Sequence, residues 1–88
     1  MIHELKSRPE FFEAIAQRRK KHDLRRSDDR HFNVGDIIWL REHNPSDNSY
    51  TGRELRLKIT YVTSHDLPCS LSKEALHADF CILSVEPV

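Results

Sequence analysis

Glycine is nearly absent from this chain: Gly35 and Gly52 are the only two in 88 residues. So little permissive backbone leaves no material for a phosphate cradle, and neither GxGxxG nor a Walker loop occurs. HExxH and GxSxG are missing as well, which removes the common zinc-protease and serine-hydrolase signatures. Cysteine is equally scarce. Cys69 and Cys81 are too few for a disulfide framework and read as free thiols of a reducing compartment. No apolar run approaches the roughly 18 residues that a membrane span needs, and Met1-Ile2-His3-Glu4-Leu5-Lys6 lacks the order of a signal peptide. The expectation is a cytoplasmic protein with no membrane association.

What remains is a small, charged chain. Its length points to one domain over residues 1–88, able to bury only roughly 60–65% of its unfolded surface and too small for a cleft between domains. Hydrophobic residues make up 38% and charged ones 32%, so a modest core is expected.

Fourteen Lys and Arg balance fourteen Asp and Glu. The zero hides a polarity. Between Arg18 and Arg30 seven cations (Arg18, Arg19, Lys20, Lys21, Arg25, Arg26 and Arg30) meet three acids, a local balance of +4 that leaves −4 elsewhere. Such a cluster is either a solvated face or the electrostatic footprint of a phosphate-bearing partner.

Ile2 to Lys6 reads as a strand. Ser7 as cap, Pro9 in the first turn and Glu10 completing a capping box start a helix that runs to about Arg18. Phe11 with Ile15, and Phe12 with Ala16, form one broad apolar stripe for the core. A strand follows from about Lys21 to Arg26, with Leu24 inward and Asp23 and Arg25 sharing the outer face. Phe32 re-enters the core and Asn33 to Asp36 turn on Gly35. Ile37 to Leu40, apolar on both faces, is a central strand with Trp39 in the core. His43 to Tyr50 is a loop. Arg53 to Val62 alternates, with Leu55, Leu57, Ile59 and Tyr61 inward and Arg56, Lys58 and Thr60 outward. Ser72 to His77 makes one helical turn and Phe80 to Val85 the last strand. Five strands and one main helix predict an α+β fold, a small mostly antiparallel β-barrel with the helix packed on it.

Two chemistries invite attention. His65 with Cys69, and His77 with Cys81, share a four-residue spacing, but residues so separated on a strand lie about 13 Å apart and neither cysteine belongs to a CxxC knuckle. No metal or other cofactor is expected, and Cys81 reads as a packing residue. The second is Lys20, Lys21, Asp23 and Arg25 at the helix-to-strand junction, with Tyr50, Arg53 and Glu74 available from later loops. A lysine there suits a base or an electrostatic stabiliser.

The order Lys20-Lys21-His22-Asp23-Leu24-Arg25, then Phe32 and Val34-Gly35-Asp36-Ile37-Ile38, resembles ASCH domains, which are PUA-like small barrels. There a G-x-K-[ST]-x-x-x-R-like stretch follows the first long helix and precedes a "vGD" turn. Ile2 to Lys6 with Pro9, Phe11 and Phe12, then Arg41-Glu42 and Tyr50 to Glu54, are similar to a compact bacterial and prophage-associated subgroup. The resemblance implies a PUA-like barrel with a cleft at the helix-to-strand junction and RNA or a modified nucleoside as ligand. It also implies candidate chemistry, because relatives include acylcytidine amidohydrolases and ribonucleases. Lys20 matches the lysine, Arg25 the arginine, Asp23 stands where a threonine nucleophile is expected, and Glu74 falls near the glutamate. Arg18 and Arg19 replace the small glycine before the lysine.

The leading expectation is an RNA-binding module in which Arg18, Arg19, Lys20, Lys21, Arg25, Arg26, Arg30 and Arg53 contact nucleic acid. A small hydrolase using Lys20, Asp23, Arg25 and Glu74 on the same cleft, and a phage-encoded adaptor for a host protein, are the alternatives. Asp23 in place of threonine makes a good hydrogen-bond acceptor or weak base but a poor amide-cleaving nucleophile.

Overall fold

In a computed structural model, which describes residues 1–66 and 71–88, the elements are β1 (Ile2–Ser7), α1 (Pro9–Ala16), β2 (His22–Arg26), β3 (Ile37–Asn44), β4 (Ser49–Ser64), α2 (Ser72–Ala75) and β5 (Phe80–Pro87). The strands form one sheet in the order β1-β3-β4-β5-β2. Among the described residues only β1 with β3 is parallel; the other three pairings are antiparallel. The sheet curls into a half-barrel with β1 and β2 as its edges, and α1, which links those edges in sequence, fills the mouth of the curl with Phe12 and Ile15. No helix among the described residues is long and apolar enough to cross a membrane.

Inward alternation builds the core. Leu5 from β1, Ile38 and Leu40 from β3, Leu57 and Ile59 from β4, and Cys81, Leu83 and Val85 from β5 meet Phe12, Ile15 and Phe32. Burial pushes the Cys81 thiol pKa up, as suits an inert packing residue. Cys69 lies outside the described residues.

Several sequence expectations give way to the geometry. The expected loop of His43 to Tyr50 is shorter, because His43 and Asn44 of β3 pair with Tyr50 and Ser49 of β4. Ser7 ends β1 rather than capping α1; the cap is Arg8, with no side-chain cap bond, and Pro9 opens the helix. Phe11 is 49% exposed, because a 3.6-residue period points it about 100° away from Phe12. Leu24 is 55% exposed and Asp23 only 8%, the reverse of the expected facing of β2. Trp39 lies on the outer face of β3, where its cover is the guanidiniums of Arg41 and Arg56, 5.1 and 5.7 Å from the ring. Tyr61 is exposed because the β4–β5 register slips by one between Ile59 and Tyr61, a bulge that turns Tyr61 out and Val62 in.

Both glycines sit at positive φ: Gly35, at +94°, in the turn before β3, and Gly52, at +96°, in the β4 irregularity opposite Glu42. The carboxylate of Asp36 closes the first turn. It accepts from Asn33 N–H at 3.1 Å, pairs with buried His3 at 2.9 Å and lies 3.3 Å from the Met1 amine. The His3 bond chiefly, then the Asn33 N–H, lowers its pKa from 3.8 to about 2 against the opposing cost of burial.

Helix α1 ends two residues short of Arg18, in a Schellman motif: Arg18 N–H donates to the Ile15 carbonyl and Arg19 N–H to that of Ala14, both at 3.0 Å. Arg18 therefore occupies the left-handed position usually given to glycine, at φ +62°.

Three substitutions test these backbones and charges. Left-handed backbone costs a non-glycine residue about 1–2 kcal/mol, and glycine returns part of that as unfolded-state entropy. Arg18→Gly is thus expected to raise stability by about 0.5–1 kcal/mol in urea denaturation, whereas Gly35→Ala, whose added Cβ meets nothing within 4 Å, loses about 1–2 kcal/mol from backbone alone. Because the folded pKa of Asp36 lies below 3.8, its contribution is complete above that pH and disappears as pH falls toward about 2. Asp36→Asn should flatten the stability-against-pH curve across that window, and an unchanged acid limb would refute the assignment.

Candidate nucleic-acid interface

The gap between the two sheet edges is a groove of about 410 Å³, lined by Lys6, Ser7 and Arg8 from the end of β1, Phe11 of α1, and Lys20, Asp23, Leu24 and Arg25 around β2. Its floor is a charge-assisted bond, Arg25 Nε donating to Asp23 Oδ2 at 2.7 Å. The same guanidinium donates through Nη2 to the Lys6 carbonyl, also at 2.7 Å, so Arg25 ties edge β2 to edge β1. Among the described residues no other hydrogen-bond donor reaches the Asp23 carboxylate, which leaves it acceptor capacity toward the groove. Above the floor stands the exposed ring of Phe11, with Lys20 Nζ 5.9 Å from its centroid.

Sequence reasoning thus located Lys20, Asp23 and Arg25, and the structure brings all three together. It missed Lys6, Ser7, Arg8, Phe11 and Leu24. Phe11 was legible only as core, since two adjacent phenylalanines on a helix look alike until the packing partner is known. Glu74, exposed on α2, does not line this groove.

The eight expected nucleic-acid contacts divide by what already engages them. Arg25 pairs with Asp23, and Arg26 pairs with Asp28 at 3.3 Å and lies over Phe80. Arg53, on β4 rather than in a loop, bonds Glu13 of α1 at 2.8 Å, sits over Phe12 and lies 3.6 Å from buried Glu42. That guanidinium holds Glu13 below the usual carboxylate range. Arg53 is therefore a clamp between α1 and the sheet. Arg30 lies 6.0 Å from the Phe32 ring and lines other grooves, with His31. Arg18, Arg19, Lys20 and Lys21 make no ion pair among the described residues, and three of them, Arg18, Lys20 and Lys21, line a neighbouring groove at the end of β5. Tyr50, in β4, is stacked under Arg41 at 3.8 Å, and His77 accepts from the Asp79 N–H. The His65–Cys69 spacing falls partly outside the described residues.

A family model described as a domain of unknown function, DUF3850, matches residues 2–85. The chain belongs to the DUF3850 family. The crystal structure of hypothetical protein PH0355 aligns with this DUF3850 chain over 100% of both, at a TM-score of 0.64 and 17% identity, a likeness that shows the curled α+β fold alone. No curated protein matches it.

The double role of Arg25 makes a direct prediction. Removing a charge-assisted, partly buried bond costs about 1.5–3 kcal/mol, so Arg25→Ala should lower stability by that order. Arg25→Lys, a point charge without a fork, should recover less than half. Full recovery by lysine in urea titrations would show that charge alone, and not the two-sided bond, holds the edges together.

Proposed function

We propose that this DUF3850 domain is a nucleic-acid-binding module for single-stranded RNA, built on a PUA-like half-barrel, with its ligand in the groove between β1 and β2. One observation carries the reading. An exposed phenylalanine flanked by an unpaired lysine stands over a carboxylate whose orientation is locked by Arg25. The groove volume falls in the range of about 300–1,000 Å³ usual for small-ligand sites.

Each part has a task in that reading. Phe11 offers a stacking face, worth about 1–3 kcal/mol per base. Asp23, as an acceptor, takes a base amino group or a ribose 2′-hydroxyl, the group that separates RNA from DNA. Lys20, with Arg8 and Lys6 at the rim, neutralises phosphate. The ordered ASCH-like motifs support RNA rather than DNA, and the unpaired cations support a phosphate-bearing partner in a chain whose net charge is zero. Cytoplasmic residence is part of the same proposal.

The test is titration of labelled single-stranded RNA and DNA of equal sequence at several salt concentrations, with product analysis of the same mixtures. Expected are tighter binding to RNA, intact RNA afterwards, and a log-log salt slope of about −0.7 per neutralised phosphate. Phe11→Ala should weaken binding about 5- to 150-fold with little change of slope, and Lys20→Ala should flatten the slope by about 0.7. Equal affinity in wild type, Phe11→Ala and Lys20→Ala would place the ligand elsewhere, and cleaved RNA would replace the module with an enzyme.

A further inference from the structure

Lys20 stands on a ridge. On one side lies the groove of Phe11 and Asp23; on the other, a second groove of about 220 Å³ opens between the end of α1 and the end of β5. Lys20 lines both. The second groove has a cationic side, Arg18 and Lys21, and an apolar side that includes Val85 and Pro87, with Glu86 as its one acid. Its walls are held in place: Val85 N–H donates to the Lys21 carbonyl at 3.0 Å, and the Schellman turn fixes the backbone of Arg18 just past the end of α1.

We propose that this groove is a second nucleotide subsite and that the ligand is a strand of at least two nucleotides crossing the ridge, with the linking phosphodiester on Lys20. The inference rests on the reading of the first groove as a nucleotide site. A lone nucleotide there would find its cations in Lys6, Arg8 and Lys20, and would leave Arg18 and Lys21 facing nothing of opposite charge except Glu86. A strand explains them. Its next phosphate meets Arg18 and Lys21, its sugar and base rest on the exposed ring of Pro87, beneath which Val85 belongs to the core, and Glu86 keeps phosphate to the α1 side by repulsion. The joined subsites act through effective concentration, so the second nucleotide adds affinity well beyond its own weak binding.

The experiment measures affinities of the full chain for labelled RNA of one, two, three and six nucleotides, with polyglutamate as an anionic competitor. The expected result is a rise of about tenfold or more between one and three nucleotides. Arg18→Gly, a change that should not weaken the fold, and Lys21→Ala should each shrink that rise at least threefold and flatten the trinucleotide salt slope by about 0.7. Phe11→Ala should instead lower mononucleotide and trinucleotide affinity together and leave the rise intact.

A mononucleotide that binds as tightly as a hexamer, or a rise unchanged in Arg18→Gly and Lys21→Ala, overturns the second subsite while leaving the first groove standing. RNA binding at no length, or binding indifferent to Phe11→Ala and Lys20→Ala, overturns both. Polyglutamate displacing RNA at equal charge concentration overturns the nucleotide assignment and marks an acidic peptide as the ligand.

Discussion

An open curled sheet has two edges, and each presents unpaired backbone groups that must be covered or joined. Among the described residues, a side chain makes the joint. Arg25 reaches from edge β2 to the Lys6 carbonyl on edge β1 while its other donor is held by Asp23. The guanidinium is suited to this because its fork donates in two directions from a rigid plane, and because it carries its charge with weaker hydration than an ammonium. Asp23 makes the arrangement tolerable: an arginine brought inward without a carboxylate would be an uncompensated charge. The same bond creates the candidate site, since the gap it spans is the groove and the pair it forms is the floor. The tie between the edges and the candidate site therefore share these two residues, and a substitution at either one perturbs both.

The five strands and the helix were legible because their apolar residues recur at the period each element needs, over runs long enough to average out exceptions. Leu55, Leu57 and Ile59 alternate as a strand should; in Ile2 to Ser7 only Leu5 follows that rule, the other inward residues being the polar His3 and Ser7. Strand β2 was too short for that logic. With one apolar residue in five, hydrophobicity alone turns Leu24 inward, whereas the paired carboxylate and guanidinium win the interior because each satisfies the other. Tyr61 and Trp39 failed for a related reason. A one-residue bulge is invisible in composition, and an aromatic ring can be covered by arginines from its own face of the sheet. The candidate site was readable as a cluster of residue types around Lys20 and unreadable as a surface, because Phe11 and Leu24 enter it only once their facing is known.

Net charge proved a poor guide to charge available. Among the described residues, the cations of the helix–strand junction and those of the sheet differ in their partners. Arg41 bonds Glu4 at 2.8 Å and Arg53 bonds Glu13, each across elements, and these ion pairs raise the pKa of both guanidiniums. Arg18, Lys20 and Lys21 have no such pairing and stand together. A chain summing to zero can thus still hold a local positive field, focused where α1 gives way to β2.

Arg18 is where this local field meets the backbone. Its left-handed φ closes the Schellman turn, a task glycine performs without steric cost, and the chain's two glycines are placed at the other turns with φ above +90°. Local preference and residue identity conflict at this one point of α1's boundary, and such conflicts are expected where a residue answers to something besides the fold. A solvated lysine or arginine anywhere on the helix would serve solubility equally well with ordinary backbone. What the left-handed position fixes is the backbone from which the Arg18 side chain leaves, beside the groove that it lines with Val85 and Pro87. The backbone cost at Arg18 is therefore best understood together with Lys20 and Lys21, as the geometry that concentrates three unpaired cations on one groove.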